Sequence, residues 1–440
     1  MTETILIVGS GAREHAIAVA LARSPQRPVL LCFGSARNPG IQALCRDYAV
    51  GSLTDAAAIT AFAAANSPTL AILGPEAPLA AGVTDALLAI NVPVVGPTRQ
   101  LAQIESSKGF ARDLLARHKI PGNPFFRRFN SLDGVEVILA QLSGSHVIKD
   151  DGLAGGKGVK VCGDHLHSIA DSVTFCRELV ANGHPFVIEE KLVGEEFSLL
   201  SFCDGVTLRS MPAVQDHKRA YDGDKGPNTG GMGSYSDADH KLPFLSESDL
   251  AAAEAINEMV AAALADDCDA PYQGILYGGF MVTAEGVRLI EYNARFGDPE
   301  CLNLLSLLET DFFAICRAIV DQTLDALPVT FAAQASVCKY IVPDGYPDAP
   351  RSGDAVHLPA ELPPGVTLYL GAVDQRGDEL VATGSRTAAV VATAPTLAAA
   401  EALCEQVAAQ IPGPFFHRSD IGTAALIDRR VQHMRSLRPL

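Results

Sequence analysis

The sequence has little positive charge, no paired cysteine motif and no long apolar run. Lys and Arg total 34 against 51 Asp and Glu, which gives a formal net charge of −17 at pH 7. This balance argues against nonspecific binding to nucleic acid or to an anionic membrane, because both partners require basic patches. The negative net charge is compatible with phosphate ligands, since a few local cations and backbone amides are enough to hold a phosphate.

The 10 cysteines are scattered, with no C-x-x-C pair and no His/Cys cluster at zinc spacing. Buried free thiols in a reducing compartment are the better interpretation. The N-terminus shows no basic region followed by a cleavable apolar segment. No window contains the roughly 18 uncharged apolar residues of a transmembrane helix. We therefore expect a cytoplasmic protein without nucleic-acid or membrane partners. Its 440 residues predict about three domains.

Apolar strands alternate with Ala-rich helical stretches in the first hundred residues, a pattern that predicts βαβ units in an open parallel sheet. Ligands of such sheets bind at the carboxyl ends of the strands, which here include residues 9–13 and 74–76. Glu14 stands where the dinucleotide pattern G-x-G-x-x-G needs its third glycine. Arg13 and Glu14 instead favour a smaller polar ligand with a phosphate at the helix N-terminus. A tight turn without a ligand is the alternative.

The segment D-G-L-A-G-G-K-G at residues 151–158 is rich in glycine. It lets backbone N–H groups approach a polyphosphate, and Lys157 adds a positive charge. It is not a Walker A loop, because Gly158 stands where Ser or Thr is required. Lys149 ends an apolar strand, where a cation is costly to bury without an anionic partner. We interpret this region as a phosphate-binding lid, with a mobile surface loop as the alternative.

An apolar strand at residues 287–293, which we predict to pair with a strand at 275–282, begins a segment that becomes polar at Glu291, Asn293 and Arg295. Side chains alternate along a strand, so these three point the same way. Glu and Asn offer the oxygen ligands that suit Mg²⁺, and Arg suits a phosphate in transfer. A strand that ends in a solvated turn is the alternative, because F-G-D-P is ordinary turn chemistry. The glycine-rich segment at residues 151–158 favours a nucleotide site over the solvated turn.

Four further stretches are informative. Lys108 lies in the first turn of an amphipathic helix predicted over residues 106–117. An anion shared with a neighbouring loop would offset the unfavourable helix dipole there, and a solvated lysine is the alternative. Residues 187–196 follow the lid in the sequence. They are either a hinge that contacts the adenine and ribose of a nucleotide or a solvated acidic turn. Residues 215–219 and 226–233 form a long irregular region in which cations beside glycines favour anion binding. From about residue 330 short strands predict a separate α+β domain.

With these residues laid out, the chain resembles the glycinamide ribonucleotide synthetase family of the ATP-grasp superfamily. The motifs that carry the resemblance are G-S-G-A-R-E-H (9–15), G-P-E-A-P-L (74–79), D-G-L-A-G-G-K-G-V (151–159), Q-D-H-K-R (215–219), G-P-N-T-G-G-M-G (226–233) and E-Y-N-A-R-F-G-D-P-E (291–300). The likeness covers almost the whole chain and is loosest after residue 330.

The resemblance implies a multidomain α/β and α+β fold. The expected parts are an N-terminal α/β substrate domain (1–105), an ATP-grasp main domain (106–122 and 191–329), a lid (123–190) and a C-terminal α+β domain (330–440). The family joins glycine to 5-phosphoribosylamine with ATP and Mg²⁺ in purine synthesis, through glycyl phosphate. Mn²⁺ is an alternative metal. The expected assembly is a monomer, with a homodimer as the alternative.

The resemblance also implies roles for individual residues. The expected metal ligands are Glu291 and Asn293, and the expected catalytic residues are Arg295 and Lys157. ATP is expected to contact Lys108, Lys149, Lys157, Glu189, Leu192 and Glu196. The two substrates are expected to contact Gly9, Gly11, Arg13, Glu14, Gly74, Pro75, Glu76, Asp216, Lys218, Asn228 and Thr229.

A few positions depart from the family pattern. Asp150 adds a carboxylate before Asp-Gly-Leu, and Leu302 replaces a polar residue. Residues 336–347 diverge as well, so substrate contacts there are not carried over. Another ATP-grasp ligase, a non-catalytic nucleotide-binding protein and, more distantly, an NAD-dependent oxidoreductase are the competing interpretations.

Overall fold

The computed structural model describes residues 3–153 and 158–438. An open parallel sheet forms the N-terminal part, as predicted. Its strands are β1 (Thr4–Val8), β2 (Val29–Gly34), β3 (Cys45–Val50), β4 (Leu70–Leu73) and β5 (Val94–Val95), in the order β3-β2-β1-β4-β5. The helices are α1 (Ala12–Ala22), α2 (Pro39–Gln42), α3 (Ala56–Asn66), α4 (Glu76–Ala80) and α5 (Val83–Ala89). The inner strands β1 and β4 are entirely buried, which explains their continuous apolar sequences.

Two short helices lead from this sheet to the lid. They are α6 (Gln103–Ser106) and α7 (Lys108–Arg117). The predicted single helix over 106–117 is thus interrupted, because Ser107 is extended and its hydroxyl caps α7 by accepting from the backbone N of Phe110 at 3.0 Å.

The lid is an antiparallel sheet of four strands, β6 (Phe126–Phe129), β7 (His146–Asp150), β8 (Val159–Val161) and β9 (Phe186–Glu190), in the order β6-β9-β7-β8. It carries α8 (Val135–Gln141) and α9 (Ile169–Ala181). Its buried apolar side chains form a cluster separate from the main core of the protein. Lys157 and the neighbouring residues 154–156 lie outside the described residues.

The central sheet is antiparallel and carries Glu291 and Asn293, the predicted metal ligands. Its members are β10 (Gly194–Asp204), β11 (Leu208–Ser210), β16 (Gln273–Thr283) and β17 (Gly286–Asn293), in the order β11-β10-β16-β17. The predicted pairing of residues 275–282 with 287–293 is confirmed, with Gly279 opposite Glu291. The helices around this sheet are α10 (Glu247–Cys268), α11 (Glu300–Leu307) and α12 (Phe312–Asp321), followed by a 3₁₀ turn (Leu324–Ala326).

The region predicted to be irregular between residues 215 and 233 contains four short strands. They are β12 (Gln215–Asp216), β13 (Arg219–Tyr221), β14 (Lys225–Asn228) and β15 (Gly233–Ser236). β15 pairs with β18 (Ala335–Pro343), so this region joins the C-terminal sheet. The expectation of a structureless run was wrong here, because its pairing partner lies about a hundred residues further along the chain.

The C-terminal part completes that sheet, whose path is β12-β15-β18-β22-β19 with β23 beside β18. Its other strands and helices are β19 (Val366–Leu370), β20 (Val373–Arg376), β21 (Glu379–Ala382), β22 (Ala388–Ala394), α13 (Leu397–Ala408), β23 (Phe415–Phe416) and α14 (Ala424–Leu437). One apolar core runs through the N-terminal, central and C-terminal sheets. Among the described residues, no helix combines the length and apolar character needed to cross a bilayer.

Candidate active site

A cleft of about 810 Å³ is lined by residues of the N-terminal, central, lid and C-terminal parts. Fifteen of the predicted site residues line it: Arg13, Pro75, Glu76, Lys108, Lys149, Glu189, Leu192, Glu196, Asp216, Lys218, Asn228, Thr229, Glu291, Asn293 and Arg295. Residues far apart in the sequence are therefore brought to one place. Their individual roles stay predictions.

Glu291 and Asn293 face the cleft from β17, with Lys218 beside them. The Lys218 Nζ lies 3.8 Å from Glu291 Oε1 and 3.6 Å from Glu196 Oε2. Burial raises the pKa of Glu291, but Lys218 and the other nearby cations outweigh it and hold this pKa below its usual range. Glu291 is therefore ionised at neutral pH, and an ionised carboxylate beside an amide oxygen is a donor pair that fits Mg²⁺.

Arg295 is oriented by acids that come from the N-terminal half. Its Nη2 lies 2.8 Å from Glu105 Oε1, and its Nε lies 3.5 Å from Glu76 Oε2. The other Glu105 oxygen accepts from the backbone N of Ala294 at 2.7 Å, next to Arg295 itself. One carboxylate thus holds both the guanidinium and the strand end that carries it. Glu105 was missed, since a single acid in a short helix gives no sequence signal.

Glu189 forms a buried ionic cluster with Arg112 and Lys149. Arg112 donates to both carboxylate oxygens, at 2.6 and 2.9 Å, and the Lys149 Nζ lies 2.8 Å from Oε2. Burial alone would raise the pKa of Glu189, but the two cations lower it to about 2. Burial lowers the pKa of Lys149. The Glu189 carboxylate is thus occupied, and adenine recognition by Glu189, which stays a prediction, would have to use its backbone.

The same cluster contacts strand β17, which carries Glu291 and Asn293. Arg112 Nη2 and Lys149 Nζ both donate to the carbonyl of Ile290, at 2.7 and 2.9 Å. Ile290 directly precedes Glu291, so the lid strand β9, helix α7 and strand β17 are fixed to one another here. Arg112 was not among the predicted site residues, because a cation in an amphipathic helix usually lies on its solvated face.

Lys108 binds the lid loop rather than bulk water. Its Nζ donates to the carbonyl of Gly152 at 2.6 Å, and the backbone N of Gly109 donates to Asp151 Oδ1 at 3.0 Å. The start of α7 and the start of the glycine-rich loop are therefore in contact. The expectation that Lys108 and this loop hold an anion together stays a prediction.

Gly9, Gly11, Glu14 and Gly74 are not among the cleft-lining residues. The Glu14 side chain fills the space that these glycines leave, and its Oε2 accepts from the backbone N of Gly11 at 2.6 Å. A Cβ on Gly74 would lie 2.0 Å from Glu14 Oε1. Glu14 in turn pairs with Arg13 Nε at 2.7 Å. The glycines therefore support Arg13, which does line the cleft, and their own contact with substrate stays a prediction.

Arg386 enters the cleft from the C-terminal part. Its Nη1 donates to the carbonyls of Gly230 at 2.7 Å and of Asp298 at 2.8 Å, and its Nη2 lies 3.1 Å from the Asp298 carboxylate. The guanidinium lies 4.6 Å from the centre of the Tyr340 ring. Arg386 therefore connects the 226–233 loop to Asp298, which follows strand β17. Sequence reasoning missed it because only the long-range sheet pairing brings it here.

These features define the class of the protein. An antiparallel sheet that presents acidic and amide side chains to a cleft lined by cations, with a small second sheet beside it, is the ATP-grasp arrangement. The family model of the phosphoribosylglycinamide synthetase ATP-grasp (A) domain matches residues 106–301. An ADP complex of N5-carboxyaminoimidazole ribonucleotide synthetase superposes with a TM-score of 0.64 over 92% of this chain and 96% of that one. At 17% identity this likeness concerns the fold alone.

The models of the phosphoribosylglycinamide synthetase N domain and C domain match residues 3–105 and 336–424. A phosphoribosylamine–glycine ligase of Methanosarcina acetivorans is 45% identical over 438 residues, which is 100% of this chain and 98% of that protein. The crystal structure of a phosphoribosylamine–glycine ligase from Thermotoga maritima superposes with a TM-score of 0.79 at 27% identity, over 95% of this chain and 100% of that one. The chain belongs to the phosphoribosylglycinamide synthetase family.

Proposed function

We propose that this chain joins glycine to 5-phosphoribosylamine with the cleavage of ATP to ADP and phosphate, giving glycinamide ribonucleotide for purine synthesis. The observation that carries the proposal is the match of all three family domains along the chain. The cleft supports it, because cations and a metal-ligand pair converge on one cavity of suitable size. A non-catalytic nucleotide-binding protein would not need this set together.

The proposed reaction has two steps. A glycine carboxylate oxygen attacks the γ-phosphorus of ATP, the bond to ADP breaks, and glycyl phosphate forms. The amine of phosphoribosylamine then attacks the acyl carbon, loses a proton, and displaces phosphate together with the former carboxylate oxygen. Activation is needed because a free carboxylate is a poor acylating agent at neutral pH. The protein supplies positioning and charge neutralisation.

Three cleft residues have a proposed part in the chemical steps. Glu291 and Asn293 hold the divalent metal, which supplies Lewis-acid neutralisation of the phosphates. Mg²⁺ is the proposed metal and Mn²⁺ the alternative. Arg295, held by Glu105, neutralises the phosphoryl group during transfer.

Five further residues are proposed to bind ATP. Lys108, Lys149 and Lys157 contact its phosphates, Leu192 the adenine and Glu196 the ribose. Lys149 reaches a phosphate by leaving Glu189, which Arg112 continues to hold. The pair of Arg112 and Glu189 therefore makes the movement of Lys149 less costly.

We also propose that residues 123–190 close over the nucleotide as one unit. The separate apolar core of the lid supports this, because a small domain with its own core moves without disturbing its neighbour. Closure would keep water away from the acyl phosphate. The proposed location is the cytoplasm, where the ten free cysteines would stay reduced. The proposed assembly is a monomer, with a homodimer as the alternative.

The test is ADP release by the purified protein with glycine and phosphoribosylamine each omitted in turn. We expect ADP formation only when both substrates are present together with Mg²⁺. ADP formed equally well without either substrate would refute the ligase function. ADP formation that needs glycine but accepts another amine would point to a different ATP-grasp ligase.

A further inference from the structure

Two carboxylates of the cleft have no cation beside them. Asp216 lies at the end of β12 and Glu300 is the first residue of α11, and both line the cleft. Within residues 3–153 and 158–438, no Lys, Arg or His nitrogen lies within 4.0 Å of either carboxylate. All the other acids discussed above have such a partner, so this pair stands apart.

Each of the two acids is held through one oxygen and leaves the other without a donor. Asp216 Oδ1 accepts from the backbone N of His217 at 2.6 Å. Glu300 Oε1 accepts from the Tyr277 hydroxyl at 2.5 Å and from the Ser198 hydroxyl at 3.3 Å. In the described part of the chain, no donor contacts Asp216 Oδ2 or Glu300 Oε2. Glu300 as a whole is only 3% exposed, but its Oε2 and Asp216 Oδ2 are not sealed off, so both free oxygens are open to the cleft that the two residues line.

The cations that influence this pair are engaged elsewhere. Burial, reinforced by the Glu300 carboxylate, raises the pKa of Asp216 well above its usual range, while Lys218 and Arg386 act against this rise. Lys218 lies between Glu196 and Glu291, and Arg386 is bound to Asp298. Two adjacent acids in a buried site are stable as anions only with a cation nearby. Without such a cation Asp216 keeps its proton more readily, and a positive group of a ligand in the cleft would let both acids ionise.

We propose that Asp216 and Glu300 bind the ammonium group of the amino-acid substrate and thereby select an amino acid over a simple carboxylic acid. This inference rests on the proposed ligase function. A small side pocket that shares Asp216 with the cleft also has Lys218 and Glu291 in its wall. When the ammonium group of glycine binds the acid pair, the glycine carboxylate lies near Lys218 and near Glu291, the predicted metal ligand.

The competing occupant is a second divalent cation, since two carboxylates also suit a metal. The structure favours an ammonium group because the free oxygens are only two and the neighbouring ligands are hydroxyl donors that already serve Glu300. An ammonium offers three donors and needs few acceptors, whereas Mg²⁺ needs a nearly complete octahedron of oxygens.

The experiment compares Asp216→Asn and Glu300→Gln with wild type in ADP release, with glycine as substrate and glycolate, which lacks the ammonium, as inhibitor. We expect the KM for glycine to rise roughly 30- to 100-fold in each variant, as for a lost charge-assisted contact. The KM for ATP and the Mg²⁺ dependence should stay within about twofold. Wild type should bind glycolate at least about 30-fold more weakly than glycine, and the variants should lose this preference.

Surface substitutions of the same chemistry, Asp378→Asn and Glu361→Gln, serve as matched controls, because both side chains are exposed. Calorimetric titration of glycine in the presence of a non-hydrolysable ATP analogue and Mg²⁺ gives affinity without turnover. Should either variant fail to fold, Asp216→Glu and Glu300→Asp replace it and should shift the KM for glycine alone. A glycine KM within about threefold of wild type, or a change in Mg²⁺ dependence instead, would overturn the proposal. Wild-type ADP release that ignores glycine would instead refute the ligase function itself.

Discussion

Arg112 connects the lid strand β9, its own helix α7 and strand β17, so its removal tests how much these contacts stabilise the site. Its guanidinium donates to both oxygens of Glu189 and to the carbonyl of Ile290. The side chains of Arg112 and Glu189 are 2% and 4% exposed. Arg112→Met keeps a similar apolar stem but removes every donor. Glu189 is then left with Lys149 as its only ion-pair partner in the described part of the chain.

The size of the effect follows from the pKa of Glu189. This pKa is about 2 in the folded protein against an ordinary value of 4.5. A carboxylate with that depression contributes about 3 kcal/mol to stability at neutral pH. Removal of one partner of a buried ion pair costs about 3–5 kcal/mol, and the remaining Lys149 places the loss at the lower end. We therefore expect Arg112→Met to lower the free energy of unfolding by about 3 kcal/mol.

Urea denaturation followed by circular dichroism at about pH 7 and about pH 3.5 measures this loss. A depressed carboxylate pKa stabilises the fold fully above pH 4.5, and this contribution is lost as the pH falls toward 2. The gap between wild type and variant should thus narrow at the lower pH. Arg177→Met, on the exposed face of α9, is the control and should leave stability unchanged. An Arg112→Met protein within about 0.5 kcal/mol of wild type at neutral pH would refute the reasoning.

Three further predictions concern the same cleft. Glu291→Ala should stay folded but lose Mg²⁺-dependent turnover by roughly 100-fold or more, because it removes a metal ligand; a large drop in melting temperature would instead make Glu291 structural. Glu105→Gln should lower kcat by roughly 100-fold with little change in the KM for ATP, since Arg295 loses its orienting charge; an equal rise in that KM would contradict this. Arg386→Lys should raise the KM for glycine or phosphoribosylamine by roughly tenfold through a loosened 226–233 loop, and kinetics identical to wild type would show that the loop is held without it.

Local patterns in the sequence predicted much of the fold. The continuous apolar runs of β1, β2 and β4 predicted the parallel sheet, and the neighbouring strands β16 and β17 were predicted to pair. β3 was missed because it is an edge strand with mixed polar sequence, half exposed to solvent. β15 was missed because glycines and polar residues form it, and its pairing partner β18 is distant in the sequence.

The site shows the same division between local and long-range information. Glu291, Asn293 and Arg295 were predicted from alternation along one strand, and all three line the cleft. Glu105 and Arg386 could not be predicted, because each is a single charged residue whose role depends on a contact made across the chain. Such contacts depend on the packing of sheets against one another, and no spacing pattern in a single sequence encodes them.

Transfer of an oxygen atom from glycine to phosphate tests the central claim most directly. Glycine labelled with ¹⁸O in its carboxylate is turned over with ATP and phosphoribosylamine, and the released phosphate is analysed by mass spectrometry. If the carboxylate attacks the γ-phosphorus and the amine then displaces phosphate, one labelled oxygen enters phosphate in every turnover. Phosphate that remains unlabelled while glycinamide ribonucleotide forms would contradict the account.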